Sequence, residues 1–104
     1  MANVAIIAKI PAKPGMRDQL IEALQVGIQN VQSEPGTLQY IMHKDANDPD
    51  LVWFYEFYDS QESFVHHGST DGIKAMGMAS REFAAGRPEL IFLEPVAGKG
   101  TPGS

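Results

Sequence analysis

The sequence predicts a small α+β domain of the ferredoxin-like kind, a βαββαβ chain with a four-stranded antiparallel sheet, that pairs as an obligate homodimer. Three observations predict this. Segments rich in β-branched and aromatic residues alternate in that order with segments of helical period. The 104 residues have room for one core and hold no cysteine to staple it. Residues 51–58, Leu-Val-Trp-Phe-Tyr-Glu-Phe-Tyr, carry apolar or aromatic side chains at both parities, so both faces of that strand need cover.

Residues 3–11 hold Val4, Ile6, Ile7 and Ile10 and stop at Pro11, a first strand. Pro14-Gly15 makes a turn and opens a helix over residues 16–33, in which Leu20, Leu24, Ile28 and Val31 form one apolar stripe. Glu34-Pro35-Gly36 ends it, because proline disfavours the helical region in the residue before it. Residues 37–45 alternate, with Leu38, Tyr40 and Met42 on one face, and Asn47-Asp48-Pro49-Asp50 is turn chemistry leading into the aromatic strand. These two strands read as an antiparallel hairpin. Asp59 or Ser60 caps the next helix, on which Phe64 and His67 share a face. Gly68-Ser69-Thr70 breaks it and caps another helix, with Ile73, Met76, Ser80 and Phe83 inward and a close near Gly86. Glu89 to Val96 is the last strand. The domain therefore spans residues 1–96, and residues 97–104 are a flexible tail.

Composition removes several function classes. Without cysteine there is no disulfide framework, thiolate metal site or thiol nucleophile, which fits a reducing cytoplasm. A net charge of −5 with no basic cluster argues against nucleic acid and anionic membrane as partners. No run of apolar residues is long enough to span a bilayer, and the start has no basic leader, so a cytoplasmic protein is expected. Helices from the two crossovers cover one sheet face. The other face has nothing in the chain to cover it, and a second copy, sheet against sheet, is the economical cover.

Glu34-Pro35-Gly36-Thr37-Leu38-x-Tyr40, Phe54-Tyr55-Glu56-x-Tyr58, Ser60-x-x-Ser63-Phe64-x-x-His67 and Leu93-Glu94-Pro95 together resemble the antibiotic biosynthesis monooxygenase (ABM) domain over roughly residues 3–96. The resemblance implies a dimeric α+β barrel with a pocket in each subunit between sheet and helices. It implies oxidation of quinols or polycyclic phenols by O2 without a cofactor, although related branches degrade haem or process small signalling molecules. Two departures matter. A second histidine often follows the first by about five positions, and Gly72 stands there. The helical histidine and first-strand asparagine of the haem-degrading branch fall at Gly77 and Ala8, so haem is not expected.

His67 is the leading candidate for a general base, since imidazole titrates near neutrality and would face the implied pocket. The competing reading is a buried histidine satisfied by a carbonyl or carboxylate. Glu56 is the only charge within the aromatic strand; it orients His67, holds a substrate hydroxyl, or forms a structural ion pair. Trp53, Tyr58, Phe64, Met76 and Phe83 are candidates to line an aromatic-binding pocket, with core packing the alternative for each. Gly77, mid-helix, is explained by close approach of a ligand or by tight helix–sheet packing. Arg81 and Arg87 are candidates to neutralise an anionic substrate, or else surface ion pairs. His43 and His66 do not join His67 on one face, so no metal is expected. The function read from the sequence is a cofactor-independent monooxygenase acting on a quinol or related phenol with O2. The alternative is a non-catalytic dimeric module that binds a small hydrophobic ligand.

Overall fold

Pro14-Gly15 turns the chain out of its first strand, Gly15 adopting a φ of +76° that glycine alone reaches cheaply. The turn is anchored at a distance: the Gly15 N–H donates to Asp50 Oδ1 at 2.9 Å. Arg17 donates to the carbonyls of Asp45, Asp48 and Leu51, so the start of the first helix is bound to the hairpin turn. Residues 3–102 are described in this computed structural model; Met1, Ala2 and the end of the predicted tail, Gly103 and Ser104, lie outside the described residues.

The elements run β1 (Val4–Pro11), α1 (Arg17–Val31), β2 (Thr37–Lys44), β3 (Leu51–Tyr58), α2 (Gln61–Ser69), α3 (Asp71–Ser80) and β4 (Glu89–Leu93). All sheet pairings are antiparallel, in the order β2-β3-β1-β4, which is the predicted ferredoxin-like arrangement. The second crossover holds two helices, because Thr70 ends α2 in extended backbone and caps α3 by accepting the Ile73 N–H. Helix α3 stops at Ser80 rather than near Gly86. Phe83 and Ala84 donate back to the Ser80 carbonyl, and an Ala12–Ala84 bridge draws the chain onto the end of β1. That pairing is long-range and leaves no mark on local periodicity. Strand β4 ends at Leu93, three residues short of expectation, and residues 97–102 form no helix or strand.

The register settles which parity of β3 faces the helices. Val52, Phe54, Glu56 and Tyr58 share a face with Ile10, Ala8, Ile6 and Val4, their partners on β1. Ala8, Ile10, Ala12, Val52 and Phe54 meet Leu20 and Leu24 of α1 in one core cluster. Leu51, Trp53, Tyr55 and Phe57 face the other way. That side is less bare than the sequence suggests, since Phe57 is only 2% exposed within the single chain. Strand β4 is the barest element: Leu90, Ile91, Phe92 and Leu93 are all exposed, Phe92 to 55%. Among the described residues, no helix is long and apolar enough to cross a membrane.

Candidate active site

The site begins at the C-terminal end of α1. Helix dipoles disfavour a carboxylate there, yet Glu34 follows the last turn and is buried. What it receives explains this. Its Oε1 takes a hydrogen bond from Thr37 Oγ1 at 2.7 Å and lies 2.7 Å from His67 Nδ1, while its Oε2 accepts from Asn30 Nδ2 at 2.6 Å. Asn30 Nδ2 also donates to Thr70 Oγ1, which donates to the His67 carbonyl. One carboxylate thus joins the end of α1, the start of β2 and the α2–α3 junction.

His67 is 5% exposed and lies between two tyrosines, its ring centroid 5.0 Å from that of Tyr40 and 5.4 Å from that of Tyr58. In the neutral ring, with Glu34 as acceptor, Nδ1 is the nitrogen that carries the proton and Nε2 the one that keeps a lone pair. No hydrogen bond occupies Nε2 among the described residues.

Glu56 sits on the helix-facing side of β3, where Tyr58 donates its hydroxyl to Oε1 at 2.6 Å. Burial pushes the Glu56 carboxyl above the usual carboxylate range, opposed by the Tyr58 hydrogen bond and by His67. Burial also raises the Tyr40 and Tyr58 phenols, with Glu56 adding to both. The result is a compact polar knot, Glu34–His67 and Glu56–Tyr58 with Tyr40 alongside, in an otherwise apolar layer.

A cavity of about 400 Å³ penetrates between sheet and helices next to this knot, floored by the core residues Ile10 and Leu24 and walled by Met76, Gly77 and Ser80 of α3. His67 does not border it. Met76 does, and its Sδ lies 4.0 Å from the Tyr40 hydroxyl, so Met76 and Tyr40 stand between cavity and imidazole. Met76 can lie so close to α1 because Gly27 has no side chain: an added Cβ would overlap Met76 Sδ and stand 3.4 Å from the Tyr40 hydroxyl.

The sequence candidates are therefore divided. His67, Glu56 and Tyr58 form the knot, and Met76 links it to the cavity. Phe64 packs edge-on to both Tyr58 and Phe92, away from the cavity wall. Phe83 packs against the core and flanks a separate groove with Asp18 and Glu22. Trp53 is on the opposite sheet face, its indole N–H donating to Asp45 at 2.7 Å and its ring under Lys9 Nζ. Asp45, which also accepts the backbone N–H groups of Asp48 and Asn47, has its carboxyl held at about 2. Sequence reasoning missed Glu34, Asn30 and Tyr40 as site residues. A signal existed for the first: an acidic residue at a helix C-terminus works against the dipole and needs a partner elsewhere. Gly72 has a spatial reason to lack a side chain, because a Cβ there would overlap the Asn30 side chain, standing 2.8 Å from its Cβ.

A four-stranded antiparallel sheet with helices on one face and a buried histidine–carboxylate pair beside a cavity defines a ferredoxin-like α+β domain with an enclosed polar site. The family model described as antibiotic biosynthesis monooxygenase matches residues 3–77, and the chain belongs to that family. Among solved structures it is similar to a "putative antibiotic biosynthesis monooxygenase" of Chloroflexus aurantiacus, at 34% identity over 96% of this chain and 99% of that one, with a TM-score of 0.81. A protein of the same description from Caulobacter crescentus is 26% identical over 92% of each chain, with a TM-score of 0.86. Rv0793 of Mycobacterium tuberculosis shares the fold at 21% identity, covering 94% of this chain and 99% of that one with a TM-score of 0.84. None of the curated proteins compared matches the chain.

Proposed function

We propose that this protein is a cofactor-independent monooxygenase that oxidises a quinol or a related electron-rich phenol with O2, and that it works as a cytoplasmic homodimer. The observation that carries the reading is the imidazole of His67, fixed through Nδ1 by Glu34 and linked to the cavity by contact with Tyr40, whose hydroxyl meets the cavity-lining Met76. The phenol lies in the cavity against Ile10, Leu24 and Met76. Its proton passes to His67 Nε2, directly after Met76 swings aside or through the Tyr40 hydroxyl, and Glu34 stabilises the imidazolium that forms. The phenolate gives an electron to O2, and the resulting pair combines into a carbon-bound peroxide. Loss of the proton on that carbon breaks the O–O bond, leaving a carbonyl and releasing the second oxygen as water. Glu56, whose carboxyl burial raises, limits the negative charge that builds up around His67 and Tyr58.

Oxygen uptake with a panel of reduced quinols, under air with no added flavin or metal, tests this. The expected result is uptake by the wild type and a loss of about 100-fold or more in His67→Ala, the lower range for losing a general base. Equal rates in the variant would remove His67 from that role.

One observation favours a second reading, a non-catalytic module that binds a small hydrophobic ligand: the imidazole does not itself border the cavity. No uptake with any quinol, together with saturable binding of the same compounds, would select it. The homodimer rests on the family resemblance, on the exposed apolar strand β4 and on Trp53 and Tyr55 facing away from the helices. Sedimentation equilibrium is expected to give twice the chain mass of 11.3 kDa, and a monomer at micromolar concentration would count against it.

A further inference from the structure

We infer that the cavity selects an aromatic ligand bearing a carboxylate, its rings against Ile10, Leu24 and Met76 and its charge between Arg81 and Arg87. This deepens the proposal above and rests on reading that cavity as the substrate site. Two independent observations carry it.

The first is charge. The chain is acidic, with 8 Lys and Arg against 13 Asp and Glu, yet two of those cations line one otherwise mainly apolar cavity. Neither is used. The ion pairs among the described residues are Lys44–Asp18 and His67–Glu34, so Arg81 and Arg87 are bound to no carboxylate, although Glu82 and Glu89 are close along the chain. A guanidinium presents a planar fork matched to a carboxylate, and both arginines are exposed where they line the cavity, within reach of solvent and of an incoming anion. The mouth is also held in place, because the Ala85 N–H donates to the Pro11 carbonyl at 2.8 Å and Ala84 bridges to Ala12 between the two arginines.

The second is Gly77. Glycine in mid-helix costs about 1 kcal/mol relative to alanine and needs a reason. Tight packing is not the reason, since a Cβ built on Gly77 meets nothing within 4 Å. The open space lies on an exposed stretch of α3 that borders the cavity. Close approach of a flat ligand to the α3 backbone accounts for it.

Calorimetric titration with 1-hydroxy-2-naphthoate and its uncharged counterpart 1-naphthol tests the inference at pH 7. The acid is expected to bind at least about tenfold more tightly, the size of one charge-assisted contact. That preference should collapse to within about twofold in the Arg81→Gln/Arg87→Gln double variant and persist in the Arg81→Lys/Arg87→Lys pair, which keeps the charge. Gly77→Leu, built into open space, should abolish binding of the acid while leaving the thermal melt within a few degrees. No preference in the wild type, a preference that survives in the glutamine variant, or undiminished binding in Gly77→Leu would each overturn the inference. The outcome is separable from the oxygenase proposal. Arginine-dependent acid binding without oxygen uptake sustains the anion site and sinks the oxygenase, whereas uptake of neutral quinols with no acid preference does the reverse.

Discussion

Glu34→Ala is the most revealing substitution for the polar knot. The carboxylate is 6% exposed and accepts three hydrogen bonds, from His67 Nδ1, Thr37 Oγ1 and Asn30 Nδ2, all at 2.6–2.7 Å. Alanine leaves those donors facing an empty site, and each unsatisfied buried donor costs about 1–3 kcal/mol. Water entering the space lowers the sum, and one-sided removal of a buried pair typically costs about 3–5 kcal/mol. That is a large part of the roughly 5–15 kcal/mol that holds a domain together. Glu34→Gln is milder. Its carbonyl replaces Oε1 and keeps the His67 and Thr37 bonds, while its NH2 opposes the Asn30 NH2, for a cost of about 1 kcal/mol. Urea denaturation of the three proteins measures both differences. A loss in Glu34→Ala below about 1 kcal/mol, the size of an ordinary surface change, would refute the view that this carboxylate ties α1, β2 and the α2–α3 junction together.

Glu56→Gln keeps an acceptor for the Tyr58 hydroxyl and removes a charge that burial penalises. Because the folded carboxyl sits above its ordinary value of 4.5, wild-type stability from this group is full below that pH and falls as pH rises through the folded value. Denaturation curves against pH should therefore be flatter above 4.5 in Glu56→Gln than in wild type; parallel curves would contradict this. Gly72→Ala should lower the melting temperature despite alanine's better helix propensity, because the new Cβ displaces Asn30 from Glu34 and costs about 1–2 kcal/mol. An unchanged or raised melting temperature would show that Asn30 relaxes without loss. Gly27→Ala should push Met76 from its seat into the cavity, raising the KM for a cavity-bound quinol with little change in stability; an unchanged KM would place the ligand elsewhere.

Much of the fold was legible because local chemistry marks it. The αL glycine after Pro14, the Ser60 cap that accepts the Ser63 N–H and the Thr70 cap that accepts the Ile73 N–H all fall where turn and cap residues cluster in the sequence. The parity of β3 was not legible, since Trp53 and Phe54 are equally apolar and only pairing with β1 and packing on Leu20 and Leu24 separates them. The same gap put Trp53 among the pocket residues when it lies on the far face. The end of α3 was hidden for a related reason, being fixed by the distant Ala12. Of the site, His67 and Glu56 stood out as polar residues in apolar surroundings. Glu34 did not, because Glu-Pro-Gly reads as a helix stop and the partner that makes it a site residue, His67, is 33 positions away. Tyr40 looked like one more core aromatic until the structure placed its hydroxyl against Met76, which lines the cavity, and its ring against His67.

Whether the cavity performs cofactor-free oxygenation is tested most directly by isotope. The purified protein, treated with chelator and supplied with a reduced quinol under 18O2, should give an oxygenated quinone that carries one oxygen-18 atom at short reaction times, with the second oxygen released as water. Product formed no faster than in protein-free buffer, or product carrying only solvent oxygen from the first time point, would contradict it.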